Sequence, residues 1–176
     1  MLEIAIPDPS LVVLIGAAGV GKSTFAARHF GPSEVLSSDA YRALISGDAA
    51  DQTVTRAAFG RLHRDLGRRL DGRQLSVVDA TNVDRGARQA LLRRAISAGL
   101  PAVAIVLDLP AEVILARNAG RPGRVVDERV VWLHLARLRE TLDRPRRQLE
   151  TEGFSLVVVL GNPREVDQVS VVRQTG

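Results

Sequence analysis

The chain has 176 residues, of which 45% are hydrophobic and 25% are charged, an ordinary composition for one globular domain. It contains no cysteine, which excludes disulfides, a thiolate nucleophile and any cysteine-ligated metal. Its net charge of +4 allows a polyanionic partner without requiring one, because solvated basic helix faces are the commoner explanation. With only three histidines, we expect no histidine-rich metal site. The sequence shows neither a signal peptide nor a membrane span, so we expect a cytoplasmic protein.

Apolar runs typical of buried strands alternate with helical patterns along the chain. The predicted strands are 11–15, 34–38, 75–80, 102–109 and 154–160. The predicted helices are 22–30, 40–46, 53–71, 84–98, 111–119, 127–143 and 145–152. This alternation predicts an α/β fold, and the glycine-rich motif at residues 16–24, described next, makes it a fold of the phosphate-loop phosphotransferase type. We expect a single domain over residues 1–176, with a parallel sheet of about five strands and helices on both faces.

The first predicted strand runs into a glycine-rich segment, residues 16–24, that matches the phosphate-loop pattern GxxxxGK[ST]. Lys22 stands at the pattern's lysine position and is the only lysine among the 24 Lys and Arg residues. It would offset charge on the β- and γ-phosphates of ATP or another nucleoside triphosphate, while Ser23 would give its hydroxyl to Mg²⁺. The residues expected to bind the nucleotide are Gly16, Gly19, Val20, Gly21, Lys22, Ser23 and Thr24.

The second predicted strand ends near Asp39, and Arg42 follows three residues later. This spacing places a carboxylate and a guanidinium on one helix face at the carboxyl edge of the sheet, where open α/β sheets bind ligands. Asp39 could then accept a proton from an attacking hydroxyl, and Arg42 could hold an anionic part of the acceptor. Alternatively, Asp39 caps the helix and Arg42 lies at the surface, although capping and catalysis can coexist.

The third predicted strand ends in Asp79, followed by Thr81 and Asn82. A carboxylate at this position resembles the one that holds the water shell of Mg²⁺ in phosphate-loop enzymes. Positioning of the neighbouring loop is an equally good interpretation of Asp79. Thr81 or Asn82 could cap the helix that follows.

Arg117 and Arg121 lie one helical turn apart, beside a break that contains Gly120, Pro122 and Gly123. We interpret residues 117–126 as a lid whose arginines close over ATP and stabilise the charge that develops on the transferred phosphoryl group. A solvated arginine pair at a helix end is the alternative.

These blocks, in this order and spacing, resemble the kinase module of the bacterial polynucleotide kinase–phosphatases that repair RNA ends. The most telling stretches are residues 35–39, 51–55 and 77–82, together with the Arg117 and Arg121 lid. The resemblance implies transfer of the γ-phosphate of a nucleoside triphosphate to a 5′-hydroxyl of RNA or DNA. It implies that Asp39 is the general base, that Arg42 grips the acceptor phosphate, and that Arg117 and Arg121 clamp the donor phosphates. The residues that it implies near the acceptor are Gln52, Thr55 and Asn82.

The sequence departs from that family at Ala17 and Ala18, where serine is frequent, and we expect little loss because backbone N–H groups make the phosphate contacts there. The phosphatase and ligase modules of longer family members are not in the sequence, so it is either a stand-alone kinase or one domain of a longer chain. Two other functions stay open: a small-molecule phosphotransferase of the same superfamily, and a nucleotide-driven ATPase switch.

Overall fold

The computed structural model describes residues 2–120, 125–142 and 145–175. The strands are β1 (Glu3–Asp8), β2 (Leu11–Ile15), β3 (Val35–Ser37), β4 (Ser76–Asp79), β5 (Ala102–Leu107), β6 (Leu156–Leu160) and β7 (Ser170–Thr175). The helices are α1 (Lys22–His29), α2 (Ser38–Ser46), α3 (Thr55–Asp71), α4 (Arg85–Ser97), α5 (Ala111–Ala119), α6 (Glu128–Leu142), α7 (Pro145–Glu152) and α8 (Pro163–Gln168).

Five of the strands form a parallel sheet in the order β3-β4-β2-β5-β6. The register pairs Ser37 with Asp79 and Asp79 with Leu14. The carboxyl ends of β2, β3 and β4 therefore meet at one edge, and the segments that follow these strands leave the sheet side by side. The predicted α/β fold with a parallel five-stranded sheet is confirmed.

Helices cover both faces of this sheet, because the central strands are apolar along their whole length and must be buried on both sides. One buried cluster packs α1, α5 and the first half of α6 against the sheet, through residues such as Phe25, Ile114 and Val131. The other packs α3, α4 and α7, through residues such as Leu66 and Leu149. Each face has its own apolar core, which leaves the carboxyl edge of the sheet for polar groups.

A second, two-stranded parallel sheet joins β1 to β7, and the sequence did not predict it. Ile4 and Ile6 of β1 are buried against the first core cluster. The short helix α8, capped by the Asn162 side chain, was also not predicted. In the part of the chain that the structure describes, no helix is both long and apolar enough to cross a membrane.

Candidate active site

The phosphate loop connects β2 to α1 and depends on its glycines. Gly19 and Gly21 adopt φ values of 83° and 108°, which side chains rarely tolerate. A Cβ at Gly16 would lie 2.9 Å from the carbonyl oxygen of Leu107, and one at Gly19 would lie 3.1 Å from the Cβ of Asn118. The loop is therefore a backbone cradle between β5 and α5, with the amino terminus of α1 at its end, an arrangement that fits a polyphosphate.

Lys22 is 8% exposed and folds over this cradle. Its Nζ donates hydrogen bonds to the carbonyl oxygens of Gly16 and Ala17, at 3.0 and 2.9 Å. The ammonium group thus lies against the loop that would surround the phosphates. This is where a positive charge offsets theirs most effectively.

Ser23, at the start of α1, donates a hydrogen bond from its Oγ to Oδ2 of Asp79, at 2.7 Å. Asp79 ends β4 and is 5% exposed. A hydroxyl and a carboxylate oxygen are the hard ligands that Mg²⁺ prefers, and this ion usually keeps several waters and substrate oxygens as its other ligands. Within residues 2–120, 125–142 and 145–175, no group of three or more His, Cys, Asp or Glu residues could hold a metal. The two oxygens fit a magnesium ion shared with a nucleotide better than they fit an all-protein metal site.

Asp39 and Arg42 lie together in α2, as the sequence predicted, and form an ion pair of 2.5 Å. The N-cap of α2 is Ser37, whose side chain accepts a hydrogen bond from the N–H of Ala40. Asp39 therefore lies in the first helical turn and is not the cap. Arg42 is 7% exposed, so it is not the surface arginine of the alternative interpretation either.

Arg42 links α2 to the start of α3. Its Nε donates to Oγ1 of Thr55 at 3.2 Å, and that hydroxyl donates to Oε1 of Gln52 at 3.2 Å. The structure thus joins Asp39, Arg42, Thr55 and Gln52 in one network, which we call the acceptor network after the role that the sequence predicted for it. Every member is a polar side chain, in contrast to the backbone cradle.

Arg117, near the end of α5, reaches across to the phosphate loop. Its Nη1 donates to the carbonyl oxygen of Val20 at 2.9 Å, and a Cβ at Gly21 would lie 3.3 Å from the same nitrogen. The predicted donor-side arginine is therefore beside the cradle. Its predicted partner, Arg121, lies outside the described residues.

Asn118, to which the sequence interpretation gave no role, is 1% exposed. Its Nδ2 donates to the carbonyl oxygen of Val126 at 2.7 Å, and its Oδ1 accepts from the N–H of Val126 at 3.0 Å. One buried amide thus holds together both ends of the predicted lid, and it also packs against Gly19.

His134 in α6 is another residue of this site that the sequence did not reveal. The N–H of Ala18 in the phosphate loop donates to its Nδ1, at 3.3 Å. Burial lowers the pKa of His134, as do the nearby charges of Lys22 and Arg137, against an opposing effect of Asp84. A neutral ring is the form that can accept this hydrogen bond. The two partners are 116 positions apart, so no local pattern indicates the contact.

Asn82 is buried and lies at φ 50°. Its Nδ2 donates to the carbonyl oxygens of Leu14 and Ala80, at 2.8 and 3.3 Å. No described hydrogen bond joins it to the acceptor network. These contacts favour a supporting role, in which Asn82 holds β2 and β4 in place beneath the site.

The Arg88–Glu152 ion pair is buried with side-chain exposures of 0% and 1%, and Arg88 also donates to the carbonyl oxygens of Asn82 and Val83. It fixes the segment between β4 and α4 against α7. Because Arg88 and Glu152 mainly neutralise each other, removal of either side chain would leave a buried charge without its partner.

Comparison with known proteins assigns the chain to a family. Residues 11–145 match the model of a family described as an AAA domain. No curated protein matches the chain.

Three solved structures illustrate the similarity of fold. A chain of the Pnkp1/Rnl/Hen1 RNA repair complex is 25% identical with a TM-score of 0.66, and the match covers 77% of this chain and 46% of that one. A gluconokinase from Sinorhizobium meliloti 1021 is 19% identical with a TM-score of 0.55, over 93% and 88% of the two chains. A sugar kinase from Janibacter sp. HTCC2649 is 23% identical with a TM-score of 0.57, over 91% and 87%. The chain thus spans about half the length of the RNA repair protein and most of the length of the sugar kinases.

Proposed function

The chain belongs to this AAA domain family, with the fold of phosphate-loop kinases, and from that premise we propose that it is a polynucleotide 5′-hydroxyl kinase. Such an enzyme would transfer the γ-phosphate of ATP to the 5′-hydroxyl end of RNA or DNA, as a step in the repair of broken strands. Phosphatase and ligase modules, in the same chain or in separate proteins, would be its functional partners.

The acceptor network is the observation that carries this proposal. It presents a carboxylate beside a buried guanidinium, 2.5 Å apart, at the sheet edge from which the phosphate loop also leaves. A guanidinium beside the reacting hydroxyl would suit an acceptor that carries a negatively charged group of its own. In a nucleic acid, this anion is the phosphate adjoining the terminal nucleoside.

The proposed reaction divides between the two halves of the site. Asp39 takes the proton of the 5′-hydroxyl as the acceptor oxygen bonds to the γ-phosphorus, and the bond from that phosphorus to the β–γ bridging oxygen breaks, so that ADP leaves. Lys22 and the loop N–H groups hold the β- and γ-phosphates, and Arg117 adds positive charge from the side of the lid. Ser23 and Asp79 would hold Mg²⁺, which would offset phosphate charge.

A small-molecule kinase is the second candidate, because the gluconokinase and the sugar kinase match over 88% and 87% of their own lengths. Incubation with γ-labelled ATP, Mg²⁺ and either 5′-hydroxyl oligonucleotides or gluconate and other sugars separates the two functions. We expect label on RNA or DNA ends. Label on a sugar and none on any oligonucleotide would overturn the proposal.

Asp39→Asn tests the assigned base in the same assay. It preserves size and hydrogen bonding but cannot accept the proton, so we expect transfer to fall on the order of 10²-fold or more, with ATP affinity unchanged. An ATPase switch without an acceptor would instead keep its turnover in this variant. Unchanged ATP turnover in Asp39→Asn would rule out both proposed kinase functions.

A further inference from the structure

Positive charge is concentrated on two adjacent helices. Helix α3 contains five arginines and two aspartates, and α4 contains four arginines and no acidic residue, so together they carry +7. The whole chain carries only +4, which leaves −3 for everything else. Arginine replaces lysine almost everywhere in this chain, but such a replacement would not by itself concentrate positive charge on two helices.

Seven of these nine arginines are exposed, and four of the seven form the surface that α3 and α4 share: Arg56, Arg64, Arg93 and Arg94. Within residues 2–120, 125–142 and 145–175, none of the four makes an ion pair. Arg68 pairs with Asp65, Arg85 lies near Glu152, and Arg61 lies near Tyr41 of α2. Arg69 donates to the carbonyl oxygen of Leu75 and to Ser76, and Arg88 is buried against Glu152.

Of the two acidic residues of α3, Asp71 ends the helix at the far end of this surface, and Asp65 lies away from it. Asp65 accepts a hydrogen bond of 2.8 Å from the hydroxyl of Tyr41 in α2, which places it on the flank of α3 opposite to α4. On the α4 side, burial and then the charges of Arg94 and Arg93 lower the pKa of His63. The surface shared by α3 and α4 thus combines exposed guanidinium groups with a neutral ring.

Small residues make this surface shallow. Gly60 and Gly67 lie on the same face of α3 as Arg56 and Arg64, at helical spacing. A Cβ at Gly60 would lie 3.9 Å from Nη1 of Arg64, and one at Gly67 would lie 3.6 Å from Nη1 of Arg94. The guanidinium groups therefore extend over glycine backbone, where an extended anionic chain can approach them closely.

The surface begins at the acceptor network. Thr55, which binds Arg42, is the first residue of α3, and Arg56 follows it. From Arg56 to Gly67 the helix rises about 16 Å, away from the site. We propose that this cationic face of α3 and α4 binds the sugar–phosphate backbone of a single-stranded acceptor whose 5′ end lies at Asp39. The proposal rests on the proposed function and extends it, because a sugar acceptor would leave this face unused.

The test compares two double variants that each remove two positive charges. Arg64→Gln/Arg94→Gln alters the cationic face, and Arg28→Gln/Arg173→Gln alters exposed arginines in α1 and β7, among elements that pack against the first core cluster. Binding of a fluorescent 5′-hydroxyl 12-mer is measured by anisotropy without ATP. Phosphorylation of the 12-mer and of a 5′-hydroxyl dinucleotide is measured with ATP.

We expect Arg64→Gln/Arg94→Gln to weaken 12-mer binding about 10-fold near 0.1 M salt. The slope of log affinity against log salt should fall by about 1.4, or about 0.7 for each strand phosphate that an arginine no longer neutralises. The kcat of this variant, and its KM for the dinucleotide, should match those of the wild type. The control variant should bind the 12-mer as the wild type does.

Three results of the binding measurements would overturn the cationic face as an acceptor site. They are the absence of 12-mer binding, an equal loss in the control variant, and equal competition by polyglutamate, which would indicate a non-specific anion surface. Normal phosphorylation with no dependence on strand length would reject the face and leave the proposed function intact. Binding of the 12-mer without phosphorylation would reject the proposed function and leave the cationic face as a strand-binding surface.

Discussion

The proposed donor half of the site, at the phosphate loop, and the proposed acceptor half, at the acceptor network, consist of different chemical groups. The donor half is mostly backbone, with glycines at positive φ, two carbonyl oxygens that accept from Lys22, and an N–H that donates to His134. The acceptor half is a chain of side chains from Asp39 to Gln52. A backbone cradle binds the same triphosphate whatever the acceptor is, whereas side chains can change to suit each acceptor.

Damage to the donor half should therefore have the larger effect. Lys22→Ala should reduce phosphate transfer by about 10³-fold to every acceptor, because it removes the positive charge that would stabilise the transferred phosphoryl group. Single-turnover transfer with an oligonucleotide measures this effect. A thermal melt checks that the loop has kept its structure without the two hydrogen bonds of the ammonium group.

Lys22→Arg is the matched control for this variant. We expect it to stay close to Lys22→Ala, since a planar guanidinium does not fit where a compact ammonium group bonds two carbonyl oxygens. A wild-type rate in Lys22→Arg would show that charge alone is sufficient, and would contradict the geometric argument.

A change in the acceptor half should be smaller and confined to the acceptor. Thr55→Val removes the hydroxyl that links Arg42 to Gln52 and keeps the shape of the side chain. We expect the KM for the oligonucleotide to rise about 5- to 10-fold, in line with about 1 kcal/mol for the removal of one hydrogen bond, with ATP affinity unchanged.

Thr53→Val is the control for that prediction, because Thr53 is exposed and bonds to Asp51 instead of to Arg42. A weakened affinity for ATP in Thr55→Val would show that the two halves are not separable in the way the structure indicates.

The smallest expected effect concerns His134 and pH. The pKa of His134 in the folded chain lies below its ordinary value of 6.5, so the unfolded chain binds a proton there at higher pH than the folded chain does. The contribution of His134 to stability is therefore present above about pH 6.5 and is lost as the pH falls from there through the lowered folded pKa. The effect should be small, because His134 is only half-buried and solvent screens its neighbours.

Urea unfolding of the wild type and of His134→Gln between pH 7.5 and 5.5 measures this contribution. Glutamine can accept the N–H of Ala18 without titrating, so the variant should lose less stability on acidification. Some loss should remain, since burial also lowers the pKa values of His29 and His63. If stability falls with pH identically in the wild type and in His134→Gln, the contact between α6 and the phosphate loop does not affect the titration of His134.

The sequence predicted features that depend on neighbouring residues. The phosphate loop is one continuous segment, and the apolar runs of β2, β4 and β5 are buried on both faces, so their assignment follows from local pattern alone. Asp39 and Arg42 were correctly placed together, because a spacing of three residues in a helix determines the distance. The cap was assigned less well, since Ser37 and Asp39 are both favourable capping residues and only the start of α2 distinguishes them.

Features that depend on distant residues were missed. The sheet of β1 and β7 joins segments at opposite ends of the chain, and β7 is too polar to resemble a buried strand. The contact of His134 with Ala18 exists only after α6 has packed beside the loop. The burial of Asn82 was also not predicted, and its Nδ2 donates to the carbonyl oxygen of Leu14, 68 positions earlier. The place of Asn82 near the acceptor stays a prediction.

The amide of Asn118 has a consequence for how this enzyme can diversify. By bonding both the N–H and the carbonyl oxygen of Val126, it fastens residue 118 to residue 126 independently of the chain between them. Lengthening a closed loop costs little, about 0.6 kcal/mol for each doubling of its length. Insertions between these anchors should therefore leave Arg117 and the phosphate loop in place. New residues could reach toward a new acceptor while the loop that we propose to hold ATP stays as it is.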